Sequence, residues 1–171
     1  MGFLPDSSVA LARELIFRVA TAADAAQIAA WNRQLITDEG HNNTMGVDQL
    51  EARMRNWLAT EYRAIIFDAR ATPASTPEPV AYAVFRDTPD WIHLRQFFVM
   101  RDCRRRGIGT RAVALLRDSV FAPDKAIIVE AMTWNRAALS FWRAMGFADR
   151  YVGLESRPAA SAPHSSSAGS P

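Results

Sequence analysis

The amino-acid sequence predicts a mixed α/β fold, with a mostly antiparallel central sheet and flanking helices. Two observations carry this prediction. Apolar residues recur at helical spacing in some segments and form short dense or alternating runs in others, in the order β-α-α-β-β-β-α-β-α-β. Turn-like links join the middle strands, which favours antiparallel hairpins, whereas helices separate the later strands, which favours parallel neighbours.

Length and composition predict one globular domain. The 171 residues are 49% hydrophobic and 22% charged, with a formal net charge of +2, which is too small for general nucleic-acid binding. Cys103 is the only cysteine, so no disulfide forms within the chain and a reducing, cytoplasmic location is expected. No apolar run reaches the roughly 18–20 residues of a membrane span, and the N-terminus lacks a signal-peptide pattern.

The N-terminal part begins with a short arm, Met1 to about Glu14, and a strand over Leu15–Val19. Thr21 is a helix N-cap residue, and Asp24, three residues further on, is its reciprocal partner. They predict a helix over Ala22–Thr37. The apolar face of this helix has residues at helical spacing, namely Ala25, Ile28, Ala29, Leu35 and Ile36.

A polar, glycine-containing loop, Asp38–Asn43, separates the first helix from a second one over Val47–Thr60. The inward face of the second helix is predicted to contain Leu50, Met54, Trp57 and Leu58. Strands over Tyr62–Phe67 and Val80–Arg86 follow, and the proline-rich stretch Ala71–Pro79 connects them.

A longer strand over Trp91–Met100 leads into a segment of arginines and glycines, Arg104–Thr110. This segment opens a helix that is predicted to end at about Phe121. A buried strand is then expected over Ala126–Met132.

The C-terminal part consists of a helix over Asn135–Met145, a glycine cap at Gly146 and a last strand over Phe147–Leu154. From Ser156 onward the chain has no aromatic or branched apolar residue. Such a composition predicts a disordered tail over residues 156–171, after a single domain over residues 1–155.

The arginine–glycine segment has the features of a polyanion site. Gly107 and Gly109 let the backbone approach a ligand closely, and the helix that follows directs free N–H groups toward it. Three consecutive arginines, Arg104, Arg105 and Arg106, add positive charge. A pyrophosphate fits this arrangement. The plainer alternative is a glycine turn that starts a helix beside solvated arginines.

The segment Gly107–Ala112 also matches the dinucleotide fingerprint G-x-G-x-x-A, with Glu130 near the position of a ribose-binding acid. We reject this interpretation. In the dinucleotide fold the glycines follow the first strand almost directly, whereas here several strands and two helices precede them.

A second segment, Asn135–Phe147, changes the interpretation. Together the two segments resemble the GNAT acetyltransferase superfamily over about residues 15–154. The first matches the motif Q/R-x-x-G-x-G/A through Arg104, Gly107 and Gly109. The second matches N-x-x-A-x-x-x-Y-x-x-x-G-F through Asn135, Ala138, Gly146 and Phe147, with Trp142 in the tyrosine position.

The resemblance implies the acyl-CoA N-acyltransferase fold, in which two parallel strands splay apart to admit acetyl-CoA as cosubstrate. Pantetheine would then pair with the backbone of Phe98, Val99 and Met100. Pyrophosphate would be bound by the loop that contains Arg104, Arg105, Arg106, Gly107, Ile108, Gly109 and Thr110. The resemblance also gives Asn135 a contact with the pantetheine arm and places Phe141 near it, although core packing is an equal alternative for Phe141.

The implied chemistry is direct attack of an amine on the thioester, with a backbone N–H next to Val99 stabilising the oxyanion. The family often has tyrosine as the acid that protonates the thiolate. Trp142 stands there instead, and its indole donates a hydrogen bond without giving up a proton. Cys103 lies at the phosphate end, so it is interpreted as a bystander.

The acceptor amine is expected beside the loop between the first two helices. Glu39 and His41 in this loop suit a cationic amine and its deprotonation, although a solvated loop is the alternative. Glu130 is a base candidate through a water or one half of a salt bridge at the rim. His93 and Arg95, on one face of their strand, either line this groove or face solvent.

The sequence therefore predicts an acetyl-CoA-dependent N-acetyltransferase for a small amine, without a metal. A non-catalytic acyl-CoA-binding protein is the alternative that Trp142 suggests, and modification of protein N-termini or lysines is a third. Only one strand is available after the last helix, where the family usually has two. A homodimer that covers the open sheet edge is therefore predicted.

Overall fold

The computed structural model describes residues 14–154, and within them a five-stranded sheet carries helices on both faces. The strands are β1 (Glu14–Val19), β2 (Tyr62–Arg70), β3 (Glu78–Asp87), β4 (Trp91–Val99) and β5 (Ala126–Val129). The helices are α1 (Ala25–Asp38), α2 (Val47–Ala59), α3 (Ile108–Leu115) and α4 (Arg136–Ala144). The predicted arm up to residue 13 and the predicted tail from Ser156 lie outside the described residues.

The sheet confirms the predicted fold class. Its strands lie in the order β1-β2-β3-β4-β5, and every neighbouring pair is antiparallel except β4 and β5, which are parallel. Consecutive strands are therefore spatial neighbours throughout. Helix α3 provides the crossover that a parallel pair requires.

Apolar side chains on alternating positions of the strands divide the core into two layers. Helices α1 and α2 cover one face, where Trp31 stacks on Tyr82 with ring centroids 5.9 Å apart. Helices α3 and α4 cover the other face, which includes Phe85, Val113 and Trp142. In the described part of the chain, no helix is both long and apolar enough to cross a bilayer.

Helix α1 begins with the predicted capping arrangement. The Thr21 N–H donates to Asp24 Oδ2 at 2.8 Å, and Arg18 holds the same carboxylate through two hydrogen bonds of 2.8 and 3.0 Å. The first turn, Ala22–Asp24, is a 3₁₀ helix, so the α-helix starts at Ala25 rather than at Ala22. Tight first turns of this kind are common at helix termini.

Strand lengths differ from the prediction most clearly at β2, β3 and β5. Strands β2 and β3 extend further than expected, and β3 includes Pro79 beside a register irregularity next to Asp68. A proline is tolerated at such a point because the regular ladder is already interrupted. Strand β5 ends at Val129 instead of Met132, because the chain leaves β4 there.

The predicted last strand, Phe147–Leu154, is wrong, because these residues form no strand in the structure. Phe147 packs edge-on against Trp142 at 5.0 Å, under the guanidinium of Arg117. Asp149 then pairs with Arg143 on α4. These contacts hold the start of this segment against α4, and β5 is one of the two edge strands of the sheet among residues 14–154.

Candidate active site

The site is created where β4 separates from β5. Their parallel pairing extends only from Trp91 to Leu94, and it ends opposite Val129. At the same point the register between β3 and β4 shifts, so that Arg95 is an extra residue in β4. A bulge bends the strand that carries it. Beyond Arg95, β4 continues with β3 alone and leaves a gap on its other side.

The backbone of β4 presents polar groups to this gap. The Met100 N–H donates to Val80 O on β3 at 2.9 Å. Because successive residues of a strand direct their N–H and C=O groups to opposite sides, those of Val99 point toward the gap. The Val99 carbonyl accepts a 2.8 Å bond from Nε of Arg104. The Val99 N–H is thus a backbone donor that faces the gap. Phe98 belongs to the core layer under α1.

The loop at the end of β4 has an unusual backbone conformation. Arg105 has φ +61°, and it is the only non-glycine residue with positive φ among residues 14–154. Gly107, at the N-cap of α3, has φ +73°. A left-handed conformation costs a non-glycine residue about 1–2 kcal/mol. Such strain at Arg105 is typical of functional loops, in which the backbone is fixed for a ligand.

The same loop offers N–H groups to an anion. The first N–H with an acceptor inside α3 is that of Arg111, which donates to Gly107 O at 3.0 Å. The N–H groups of Ile108, Gly109 and Thr110 therefore have no acceptor within the helix. They lie at the positive end of the helix dipole, which suits the binding of a phosphate.

Gly109 has a packing role that the sequence interpretation did not include. A Cβ at this position would lie 3.2 Å from Cε2 and 3.3 Å from Cζ of Phe141. Phe141 in turn stacks on Phe97, with centroids 5.9 Å apart and ring planes 10° apart. The glycine therefore lets the start of α3 approach α4.

A groove of about 540 Å³ lies between the loop and α4. It is lined by Arg105, Arg136, Ala137, Ser140, Phe141 and Ala144. Arg136 and Ser140 were not predicted from the sequence, although both face outward on an amphipathic helix. The Asn135 side chain accepts a 3.1 Å bond from the Ala138 N–H and so caps this helix. The groove has two arginines and one aromatic wall, a combination that suits a phosphorylated ligand.

Asp38, at the end of α1, joins this helix to the loop. Its carboxylate accepts hydrogen bonds from Arg101 and from Arg104. Burial of Asp38 disfavours its charged form, but the bonds from the two guanidinium groups outweigh this effect and lower the pKa of Asp38. The ionised Asp38 thus fixes two cations at the edge of the gap.

A second cleft, of about 410 Å³, lies between the end of α1 and the start of α4. Its lining includes Asp38, Glu39, Gly40, Trp134 and Asn135. The Trp134 indole N–H donates to Glu39 O at 2.9 Å. The loop after α1 therefore contacts both sides of the gap, at the ends of β4 and β5. This bridge was not evident in the sequence, because Trp134 is an isolated exposed aromatic residue.

Of the predicted loop acids and bases, Glu39 is the more enclosed. Burial, and the nearby negative charge of Asp38, raise the pKa of Glu39 above its ordinary value. The imidazole of His41 is exposed and turns back onto its own loop, where Nδ1 accepts from the Asn43 N–H at 3.1 Å. The structure therefore gives these two residues different environments.

Glu130 follows β5 directly, beside the point where the strands separate. Its carboxylate pairs with Arg95 at 3.1 Å and lies 3.7 Å from Nε2 of His93. The Tyr151 hydroxyl contacts the other carboxylate oxygen at 3.3 Å. This is the rim salt bridge that the sequence interpretation left open. His93 and Arg95 therefore both lie next to the same carboxylate.

Trp142 lies in the core instead of the gap. It is 8% exposed, and its ring centroid lies 5.4 Å from that of Phe97, 4.9 Å from Phe141 and 5.0 Å from Phe147. The role beside the coenzyme sulfur that the resemblance implied is therefore not evident in its contacts. An indole is large enough to fill this apolar cluster, and that is the function its surroundings indicate.

A polar cluster beneath α1 and α2 was also not predicted. Arg53 donates to Oδ1 of the buried Asn32 at 2.8 Å, and the Tyr82 hydroxyl lies 3.3 Å from Gln96 Oε1. The sequence did contain a signal. Arg53 is three residues after Leu50 on the inward face of α2, a position where an apolar residue is expected.

No group of three or more His, Cys, Asp and Glu residues suitable for a metal ion is present in the part of the chain that the structure describes.

Comparisons with known proteins agree with this geometry. A family model described as the acetyltransferase (GNAT) family matches residues 32–147. An aminoglycoside N-acetyltransferase in complex with CoA has a TM-score of 0.65 at 14% identity, over 92% of this chain and 100% of that chain. A ribosomal-protein-alanine N-acetyltransferase from Brucella melitensis has a TM-score of 0.63 at 14% identity, over 84% and 99%.

A predicted acetyltransferase from Clostridium acetobutylicum, solved with acetyl-CoA, has a TM-score of 0.62 at 18% identity, over 84% of this chain and 96% of that chain. At these identities the likeness concerns the fold. No curated protein sequence matches this chain.

Proposed function

Because the chain belongs to the acetyltransferase (GNAT) family, we propose that it transfers the acetyl group of acetyl-CoA to the primary amine of a small molecule. One observation carries this proposal. The bulge at Arg95 opens β4 away from β5, and the strand then runs directly into a loop with N–H groups free to bind phosphate. The gap beside β4 and the phosphate-binding loop that follows it would thus form two adjoining parts of one coenzyme site.

The coenzyme is proposed to lie along this path. Its pantetheine arm would pair with the backbone carbonyl of Val99 in the gap, next to Phe98 and Met100, so that the Val99 N–H remains free for the thioester. Its pyrophosphate would accept bonds from the N–H groups of the loop, with charge from its arginines. The groove lined by Arg105 and Arg136 would hold the adenosine end. Phe141 would form the apolar wall of that groove.

The reaction begins with attack by the neutral amine on the thioester carbonyl carbon. A C–N bond forms and the carbonyl electrons move to oxygen, giving a tetrahedral oxyanion that the Val99 N–H would stabilise. The C–S bond then breaks and its electron pair leaves with the coenzyme thiolate. The amine loses a proton to a base, and the thiolate takes up a proton from water or from an acid.

Glu39 is the base that we favour. Its raised pKa places the carboxylate nearer to the working range of a general base than an ordinary glutamate. Glu130, held by Arg95 and His93, is the second candidate, acting through a water. His41 is exposed and bonded within its own loop, so we assign it a loop-ordering role. Trp142 would support catalysis only by packing behind Phe141.

A non-catalytic acyl-CoA-binding function is the second candidate. The observation that favours it is the replacement of the expected tyrosine by Trp142, whose ring is enclosed by other aromatic rings. A protein without a positioned acid would still bind the coenzyme. A thiolate is, however, a tolerable leaving group, so turnover does not require this acid.

Initial-rate kinetics separate these functions. For each amine of a panel, the concentrations of acetyl-CoA and of the amine are both varied, and the initial rate of thiol release is measured. We expect intersecting double-reciprocal plots, as for a ternary complex, and unchanged rates for Cys103→Ala. Parallel plots would indicate an acetyl-enzyme and contradict direct transfer. Saturable calorimetric binding of CoA without thiol release for any amine would favour the binding protein.

A further inference from the structure

Arg53 is a half-buried cation with no carboxylate partner among residues 14–154. Its Nη2 donates to Asn32 Oδ1 at 2.8 Å, and its Nη1 contacts Met45 Sδ at 3.5 Å. The guanidinium carbon lies 4.7 Å from the ring centroid of Trp57, and the buried Nε has no acceptor. An amide oxygen, a thioether and an aromatic face do not neutralise a charge, and a partly desolvated charge without a counter-ion is costly.

Other arginines of this chain form ion pairs. On the same helix, Arg55 donates to Glu51 and to the Ala22 carbonyl. On the strands, ion pairs join Arg18 to Asp24, Arg70 to Glu14 and Arg86 to Glu61. Arg53 is therefore placed differently from its neighbour two residues away. It faces inward, toward β3 and β4, instead of outward.

A second guanidinium lies close by. Arg95, on the bulge of β4, has a side chain that is 44% exposed and bonded on one side to Glu130. After burial, the positive charge of Arg95 is the next cause that lowers the pKa of Arg53. The hydroxyl of Tyr82, in the same polar cluster as Arg53, lies 3.3 Å from Oε1 of Gln96, the residue that follows Arg95. The cluster therefore reaches the bulge where the gap opens. An anion next to both would relieve the burial cost and the repulsion together.

The same cluster lies near the proposed base. Burial is the main cause of the raised pKa of Tyr82; the charge of Glu39 raises it further, and that of Arg53 lowers it. The charges of Glu39 and Arg53 therefore act on the same phenol with opposite effects on its pKa. An acceptor that directs its amine toward Glu39 and an acidic group toward Arg53 would match both charges.

We propose that Arg53, together with Arg95, binds a carboxylate of the acceptor, so that the acceptor is an amino acid or another small amine that carries a carboxylate. This inference rests on the proposed function, because it defines the charge that the acceptor side of the same site recognises. A guanidinium group matches a carboxylate through two parallel N–H bonds. A site built in this way rejects analogues that lack the anion.

Calorimetry with CoA-saturated protein tests the proposal without requiring turnover. The probes are N-acetylglycine and N-acetylleucine, each compared with its uncharged α-amide, and N-acetylglutamate, compared with its uncharged diamide. We expect the wild type to bind at least one acid about tenfold or more tightly than its amide, which is the scale of one lost charge-assisted bond. Arg53→Gln should remove this preference, and Arg95→Gln should reduce it.

Arg55→Gln is the matched control, because this arginine lies on the same helix and faces outward; it should keep the full preference. Arg53→Lys is a second variant, to be used if Arg53→Gln folds poorly. It keeps the positive charge and should keep part of the preference for the acid. Melting temperature and CoA affinity report on folding in each case.

Equal binding of acids and amides by the wild type would overturn the proposal, as would a preference that survives in Arg53→Gln. Failure to bind any of the acids at millimolar concentration would also overturn it. An Arg53-dependent preference without any acetyl transfer would instead refute the proposed reaction and leave the carboxylate site standing.

Discussion

Among the single residues of the candidate site, Glu39 has a pKa that is altered by burial and by the negative charge of Asp38. Its folded-state pKa is raised from the ordinary 4.5, so its ionised carboxylate is lost at a higher pH than that of an exposed glutamate. If Glu39 is the base, the acid limb of kcat/KM has its midpoint above 4.5. Glu39→Gln should lower kcat by about 100-fold and remove this limb.

The measurement is a pH–rate profile at saturating acetyl-CoA, with Glu130→Gln as the comparison. An unchanged acid limb in Glu39→Gln, together with its loss in Glu130→Gln, would transfer the role of base to Glu130. CoA affinity, measured separately, should stay unchanged in both variants.

A second prediction about single residues concerns the close packing of Gly109 against Phe141. A Cβ at Gly109 would lie 3.2 Å from the Phe141 ring, so Gly109→Ala should destabilise the protein by about 1 kcal/mol through overpacking. Phe141→Leu in the same chain should remove part of that cost. Urea denaturation of both single variants and the double variant gives the coupling between the two positions.

Gly153→Ala is the control for that cycle, because a Cβ there meets no atom within 4 Å. Additive changes in the free energy of unfolding for Gly109→Ala and Phe141→Leu would show that the two side chains do not press on each other.

At the scale of elements, the Asp38 carboxylate connects α1 to the loop after β4. The folded-state pKa of Asp38 is lowered, so its ion pairs stabilise the fold fully above the unfolded-state pKa and are lost as pH falls through the folded-state value. Asp38→Asn should therefore cost about 1–2 kcal/mol near neutral pH. The cost should shrink toward acid pH.

Free energies of unfolding at several pH values test this, with the exposed Asp124→Asn as the control. A cost for Asp38→Asn that stays constant down to the most acid pH would contradict an ionic connection. The change at Asp38 also removes a negative charge from the vicinity of Glu39, so Glu39 should titrate at lower pH in this variant.

The sequence predicted most elements because each has a local physical cause. Helix α4 begins at the Asn135 cap and turns at Gly146, which has φ +86°. Both were evident from residue type. The predicted strand Phe147–Leu154 failed because its outcome depends on contacts with α4, especially the packing of Phe147 on Trp142. Alternating apolar residues do not reveal such contacts.

The proposed coenzyme side of the site could be inferred from the sequence for the same reason, since Arg104, Gly107 and Gly109 are close together in the chain. The acceptor side was not. The bulge at Arg95 and the clustering of Arg53 with Tyr82 depend on register and on helix packing across long sequence distances. In the sequence, only Arg53, a charged residue at an inward position of α2, indicated the polar cluster with Tyr82.

For the whole molecule, the composition predicts that residues 156–171 add nothing to the folded domain. A chain that ends at residue 155 should keep its melting temperature and its CoA affinity. Differential scanning calorimetry and a CoA titration of this truncated chain provide the check. A large loss of either property would mean that the tail is part of the folded domain.

The sheet edge leads to a prediction about assembly. Strand β5 has four residues, and no strand follows α4 among the described residues. An open edge tends to be covered, so we expect a dimer in solution. Sedimentation velocity at micromolar concentration measures this directly. A single monomeric species at that concentration would contradict the predicted dimer.

The proposed reaction moves an acetyl group from acetyl-CoA to an amine. Incubation with acetyl-CoA carrying a deuterated acetyl group, and with amino acids and other amines, tests it by mass spectrometry. We predict a labelled N-acetyl product formed in a one-to-one ratio with free CoA. Tight CoA binding with neither labelled amine nor amine-dependent thiol release would contradict the proposed reaction.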